Sequence, residues 1–98
     1  MFEIKTTGQF DAWLDGLRDG RAQHRIVARL RKASMGLFGD VKPVGEGVSK
    51  LREHFGPGYM LYYVQRGRTL IVMLAGGDKS SQADDIALAV KLARQLED

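Results

Sequence analysis

Cysteine is absent from the 98 residues, so neither a disulfide nor a thiolate metal ligand is available, and nothing argues for an oxidising compartment. Histidine is scarce, with 2 residues. His24 and His54 lack the spacing of a ligand pair, so no structural zinc and no cofactor is expected. No stretch approaches the roughly 20 consecutive apolar residues of a membrane span. The opening Met1-Phe2-Glu3-Ile4-Lys5 has no basic region leading into an apolar run. These absences predict a cytoplasmic protein with no membrane contact. A chain of 98 residues is long enough for one modest core, which makes residues 1–98 a single domain. The net charge of +3 and pI near 9.5 suit an anionic partner.

What is present is organised around residues 48–64. Two alternating runs flank Gly56-Pro57-Gly58 and read as a β-hairpin whose side chains sort to opposite faces. Leu51, Phe55, Leu61 and Tyr63 share one face, and requiring them to meet in one core fixes the register. Lys50, Arg52 and His54 then lie on the other face, opposite Met60, Tyr62 and Val64. This second face is read as the working surface.

Before the hairpin, residues 2–6 read as a short strand with Phe2 and Ile4 inward. Phe10, Trp13, Leu14 and Leu17 recur at helical spacing over residues 9–17, with Gly20 as the expected stop. A second helix is predicted over 21–35, burying Ala22, Ile26, Leu30 and Ala33. Its neighbouring stripe of Arg21, Arg25, Arg29 and Lys32 is expected to stay solvated. Residues 36–47 read as a glycine-punctuated loop whose Leu37 and Phe38 pack back on the core. The loop lacks the Gly-Lys-Ser or Gly-Lys-Thr ending of a phosphate-binding loop.

After the hairpin, Arg66-Gly67-Arg68 reads as a turn, and residues 69–74 as a central strand buried on both faces. Residues 76–82 read as a polar crossing into a last helix, begun by Ser81 with Asp84 at capping-box spacing. Ile86, Ala89, Val90 and Ala93 form its inward stripe, while Leu88, Leu92 and Leu96 make a flank that suits a protein partner but is better explained by ordinary packing. The predicted order is β-α-α-β-β-β-α, a compact α+β domain with an antiparallel-dominated sheet.

Three stretches resemble the RelE/HigB-type toxins of bacterial toxin–antitoxin modules, in particular the addiction module killer subgroup. They are residues 39–48 leading to Leu51-Arg52, then Phe55-Gly56-Pro57-Gly58-Tyr59, and then residues 76–82 with Asp85-Ile86. The resemblance implies a RelE-like domain that enters the ribosome's decoding site and cuts messenger RNA without a metal. It also implies inhibition by an antitoxin encoded adjacently, expected to be a helix-turn-helix protein.

Cleavage through the RNA's own 2′-hydroxyl needs a proton acceptor, cations for the phosphate and a donor to the leaving oxygen. The family's basic residues on this strand correspond best to Lys50 and Arg52, and the one after the last strand to Lys79. An imidazole titrates near neutrality, which makes His54 the candidate proton carrier. Arg52, His54 and Lys79 are therefore the expected catalytic residues. Lys42, Lys50, Tyr62 and Arg66 are the expected RNA contacts, with Tyr62 stacking on a base or donating a hydrogen bond. One departure stands out: where many members carry an arginine after Gly-Pro-Gly-Tyr, this chain has Met60. Losing one such donor costs about 10²- to 10³-fold in rate. The alternative reading is accordingly an attenuated homologue that binds antitoxin or ribosome without efficient cleavage.

Overall fold

The computed structural model describes residues 1–96. Its elements are β1 (Glu3–Thr6), α1 (Gly8–Asp15), α2 (Gly20–Ser34), β2 (Val41–Gly45), β3 (Val48–Glu53), β4 (Tyr59–Arg66), β5 (Leu70–Asp78) and α3 (Gln82–Gln95), the last preceded by a 3-10 turn at Lys79–Ser81. The strands form one 5-stranded sheet in the order β1-β5-β4-β3-β2. β1 runs parallel to β5, and the other neighbours are antiparallel. The α+β class and the antiparallel-dominated sheet are as predicted, with one strand more.

That strand is β2, which the sequence presents as loop because glycine and proline interrupt it. Pro43 is tolerated because β2 is an edge strand and its missing N–H leaves no ladder partner orphaned. Glu46 and Gly47, at φ 53° and 81°, close β2 onto β3 in the left-handed conformation that two-residue hairpin turns require.

The predicted register of the central hairpin holds. Leu51 pairs with Leu61, Lys50 with Tyr62 and Arg52 with Met60. Leu51, Leu61 and Tyr63 join Phe10, Ala22, Ile26, Ala33, Ile71 and Met73 in a core beneath α1 and α2. The even-numbered set fills a second core beneath α3, where Val48, Met60, Tyr62 and Val64 meet Leu74, Ala75, Ala89 and Ala93. The molecule thus has three layers, with helices on both sides of the sheet. An irregularity opposite Tyr62 and Tyr63 shifts the alternation of β5, so that consecutive Leu74 and Ala75 both face α3. Beyond it Gly76 faces Trp13 and Gly77 faces Asp85.

Several boundaries differ from expectation for local reasons. α1 ends at Asp15, and Gly20 opens α2 instead of ending α1, because Asp19 caps α2 by accepting from the Arg21 N–H. Thr7 caps α1 in the same way through the Phe10 N–H. β5 continues through Gly76-Gly77 to Asp78, since bare backbone is what fits between Trp13 on one face and Asp85 on the other. Ser81 makes no capping bond; its hydroxyl donates to Asp85 at 2.6 Å. Phe38 stacks on Tyr63, whereas Leu37 stays 60% exposed. Leu88 and Leu92 pack on the second core, the ordinary packing expected of that flank, and Leu96 alone of the three is among the exposed large apolar residues.

Candidate functional site

The β2–β3 hairpin gathers the basic residues. Antiparallel register sets Lys42 directly across from Lys50. Burial lowers the Lys50 pKa, and repulsion from Arg52 and Lys42 lowers it further. Its ammonium donates to Gln82 Oε1 at 2.8 Å, which ties the site to the first residue of α3. Lys42, expected on a loop, is therefore held on a strand.

Two residues along, Arg52 meets a partner that sequence reasoning missed. Its Nε donates to both Asp40 carboxylate oxygens at 3.1 Å, and its Nη2 donates to Oδ1 at 2.8 Å. His54 Nε2 lies 2.7 Å from Asp40 Oδ2. The hydrogen bonds from Arg52 and from His54 hold the Asp40 carboxyl at a pKa of about 2, well below its ordinary 3.8, and the bond to Asp40, with its charge, raises the pKa of Arg52. The sequence signal for Asp40 is its place just before β2: opposite the end of β3, it shares the face of Lys42, Lys50 and Arg52.

Arg29 fixes the loop that carries Asp40. Its guanidinium donates to the carbonyls of Phe38, Asp40 and Arg52 and to Glu53. With 12% of its side chain exposed, Arg29 is a structural clamp and departs from the solvated stripe expected of α2. Arg25, by contrast, remains half exposed, pairs with Glu53 and lies 4.8 Å over the Phe55 ring. Together these elements border a cleft of about 780 Å³ whose walls include Arg25, Lys32, Leu37, Asp40, Arg52 and His54.

The other expected site residues divide. Lys79 is exposed at the end of β5, its Cε 3.0 Å from where a Cβ on Gly58 would stand, so the aliphatic stem lies along the Gly-Pro-Gly turn. The row Arg52, Met60, Gly77 crosses three strands, which at the usual interstrand spacing puts Arg52 and Gly77 about 10 Å apart. Lys79, two residues beyond Gly77, thus borders the same end of the sheet.

Tyr62 is a correction. At 0% exposure it belongs to the core under α3 and is not placed to stack on a base. Its hydroxyl is buried and has no hydrogen-bond partner among the described residues. Burial, with a smaller contribution from Asp85, pushes its pKa up to about 12.

Arg66 is a second correction. It sits at the far end of β4 and donates to the Ala93 carbonyl at 2.7 Å. Six residues of strand from Met60 put it about 20 Å from the row containing Arg52. It neither joins the basic cluster nor replaces an arginine at position 60. Met60 itself is 4% exposed and packs under α3.

The element order and strand order define an α+β domain of RelE-like fold. Among solved structures it is similar to YafQ from E. coli strain BL21(DE3), with a TM-score of 0.57 and 16% identity over 84% of this chain and 98% of that one. A looser likeness, with a TM-score of 0.49 and 17% identity, is to the conserved hypothetical protein HP0892 from Helicobacter pylori, over 84% of this chain and 99% of that one. No family model matches the sequence. An uncharacterized protein of Haemophilus influenzae is 44% identical over 94 residues, which cover 96% of this chain and 95% of that protein. The chain belongs to the family of that protein.

Proposed function

We propose that this protein is the toxin of a toxin–antitoxin pair and cleaves messenger RNA on the ribosome without a metal. One observation carries the reading: on a RelE-like fold, Lys42, Lys50, Arg52 and His54 share one face and end of the β2–β3 hairpin. That is the equipment which transesterification through a 2′-hydroxyl requires. His54 takes the 2′-hydroxyl proton as the oxygen attacks phosphorus, or returns one to the departing 5′-oxygen. Arg52 and Lys50 stabilise the charge gathered on the phosphate, and Lys79 adds a cation at the same end of the sheet. The products of such a step are a 2′,3′-cyclic phosphate and a free 5′-hydroxyl. In this reading the partners are the ribosome with its message and an adjacently encoded antitoxin of helix-turn-helix type, and the protein acts in the cytoplasm. The antitoxin's contacts fall on the basic surface of α2, where an acidic segment meets complementary charge, or on α3.

The test is growth arrest. Expression of the wild-type chain arrests cells, and the double change Arg52→Ala with Lys79→Ala restores growth while the purified variant keeps its circular dichroism and melting transition. Continued arrest by a folded double variant removes these residues from the mechanism.

A second reading is supported by Met60, which is buried where many RelE/HigB-type sequences have arginine. In that reading the chain binds antitoxin or ribosome and cuts slowly. The two readings part on how efficiently purified wild-type protein cleaves a message on programmed ribosomes.

A further inference from the structure

Three N–H donors converge on one carboxylate at the end of the hairpin: Nε and Nη2 of Arg52 and Nε2 of His54, all within 3.1 Å of Asp40 oxygens. We infer that Arg52 and His54 form a phosphate seat which the Asp40 carboxylate occupies as an internal stand-in, and that an RNA phosphate binds by displacing it. The identification of the displacing anion as RNA rests on the nuclease reading above; the seat itself rests on the geometry.

Four features separate an exchangeable stand-in from a structural ion pair. First, the pair is accessible, with 35% of the side chain exposed on Arg52 and on Asp40 and 66% on His54. Water and dissolved anions therefore reach all three side chains.

Second, the Asp40 backbone is anchored independently of its side chain. Its carbonyl accepts from Arg29 Nη2 at 3.2 Å and from the Arg52 N–H at 2.9 Å. The carboxylate can therefore swing out by side-chain rotation while the 36–40 loop stays in place.

Third, the seat opens on the cleft of about 780 Å³ beside α2, which has room for a nucleotide and whose lining also includes Lys32 and Arg25, the latter paired with Glu53. Fourth, one carboxylate does not satisfy the field around it. Lys42 and Lys50 face each other beside Arg52, and beyond the effect of burial, repulsion from Arg52 and Lys42 lowers the Lys50 pKa against the opposing pull of Asp40. Two non-bridging phosphate oxygens match the arginine fork as well as a carboxylate does, and the surrounding lysines favour the anion that brings RNA with it.

Competition and positioning predict opposite results. If Asp40 competes, removing it tightens phosphate binding; if Asp40 only orients Arg52 and His54, removing it loosens binding. The experiment is a titration of wild type, Asp40→Ala and Asp40→Ala with Arg52→Ala, followed through the His54 imidazole and Arg52 guanidinium resonances. The probes are inorganic phosphate, a 2′-methoxy RNA trinucleotide and the same trinucleotide with methylphosphonate linkages.

The expected result is at least a tenfold gain in affinity of Asp40→Ala for phosphate and for the phosphodiester trinucleotide. The gain is absent with the uncharged methylphosphonate and in the double variant. Should Asp40→Ala fail to fold, Asp40→Asn keeps the shape, removes the charge and is expected to show a gain of the same sign. Affinity unchanged or reduced in the folded variant overturns the seat. If wild type cleaves on ribosomes while the variant shows no gain, the seat falls and the nuclease reading stands. If the gain appears and no message is cut, the seat stands and the nuclease reading falls.

Discussion

The Asp85 carboxylate lies directly over Gly77: a Cβ built on Gly77 would stand 1.8 Å from Asp85 Oδ2. This close approach joins the end of β5 to the first turn of α3, next to the strand that carries Met60. The Gly77→Ala variant must push Asp85 away, and its Ser81 bond with it. The expected loss of stability is about 1–3 kcal/mol, read as a shift in the urea midpoint. An unchanged midpoint would mean that α3 does not dock there as described.

The buried Tyr62 hydroxyl has no partner among the described residues, and an unsatisfied polar group costs about 1–3 kcal/mol. Tyr62→Phe is therefore expected to leave stability unchanged or raise it by about 1 kcal/mol. Because the ring lies under α3, the change should also leave ribosome-dependent cleavage within twofold of wild type. A tenfold loss of cleavage in this stable variant would show that the hydroxyl reaches RNA after α3 shifts.

Acid sensitivity follows from Asp40. Its folded pKa of about 2 lies below the ordinary 3.8, so the unfolded chain binds this proton more readily than the native state does. The stabilisation from Asp40 is complete above the ordinary value and is lost as the pH falls through the folded one. Urea unfolding between pH 5 and about pH 2 should show a slope in wild type that is shallower in Asp40→Asn. Parallel profiles would mean that Arg52 and His54 do not hold the carboxylate in solution.

The hairpin register was legible because alternation and the shared apolar parity of Leu51, Leu61 and Tyr63 admit one solution. So was the clustering of Lys50, Arg52 and His54 at one end. What alternation does not reveal is which elements lie over a face. The even-numbered residues of β4 looked equally suited to a working surface, yet α3 covers Met60, Tyr62 and Val64 and turns them into core. β2 was hidden by its glycines and Pro43, which are tolerated at an edge. Asp40 was missed because its role depends on that same hidden strand bringing it opposite Arg52. Helical periodicity places Arg29 on a solvated stripe because it sees only its own helix, whereas the partners of Arg29 come from residues 38–53.

Met60 occupies a place between Arg52 on β3 and Gly77 on β5, with the Asp85 carboxylate over the latter. An arginine there gains a like charge on one side and an acidic neighbour on the other. Met60→Arg should lose several kcal/mol of stability, because a charged guanidinium replaces a side chain that is 4% exposed and burying a charge costs more than burying a neutral polar group. If the methionine is what limits catalysis, the same variant should cut about 10²-fold faster in single-turnover assays on programmed ribosomes. A folded variant with an unchanged rate would acquit Met60.

The most direct test of the nuclease reading is cleavage of a defined messenger by the purified wild-type chain. New RNA ends are mapped with and without programmed ribosomes, with a chelator present throughout. The account predicts cuts on ribosomes alone, insensitive to chelator, leaving 2′,3′-cyclic phosphate and 5′-hydroxyl ends. No cleavage under these conditions by a folded protein that still binds the ribosome would contradict it.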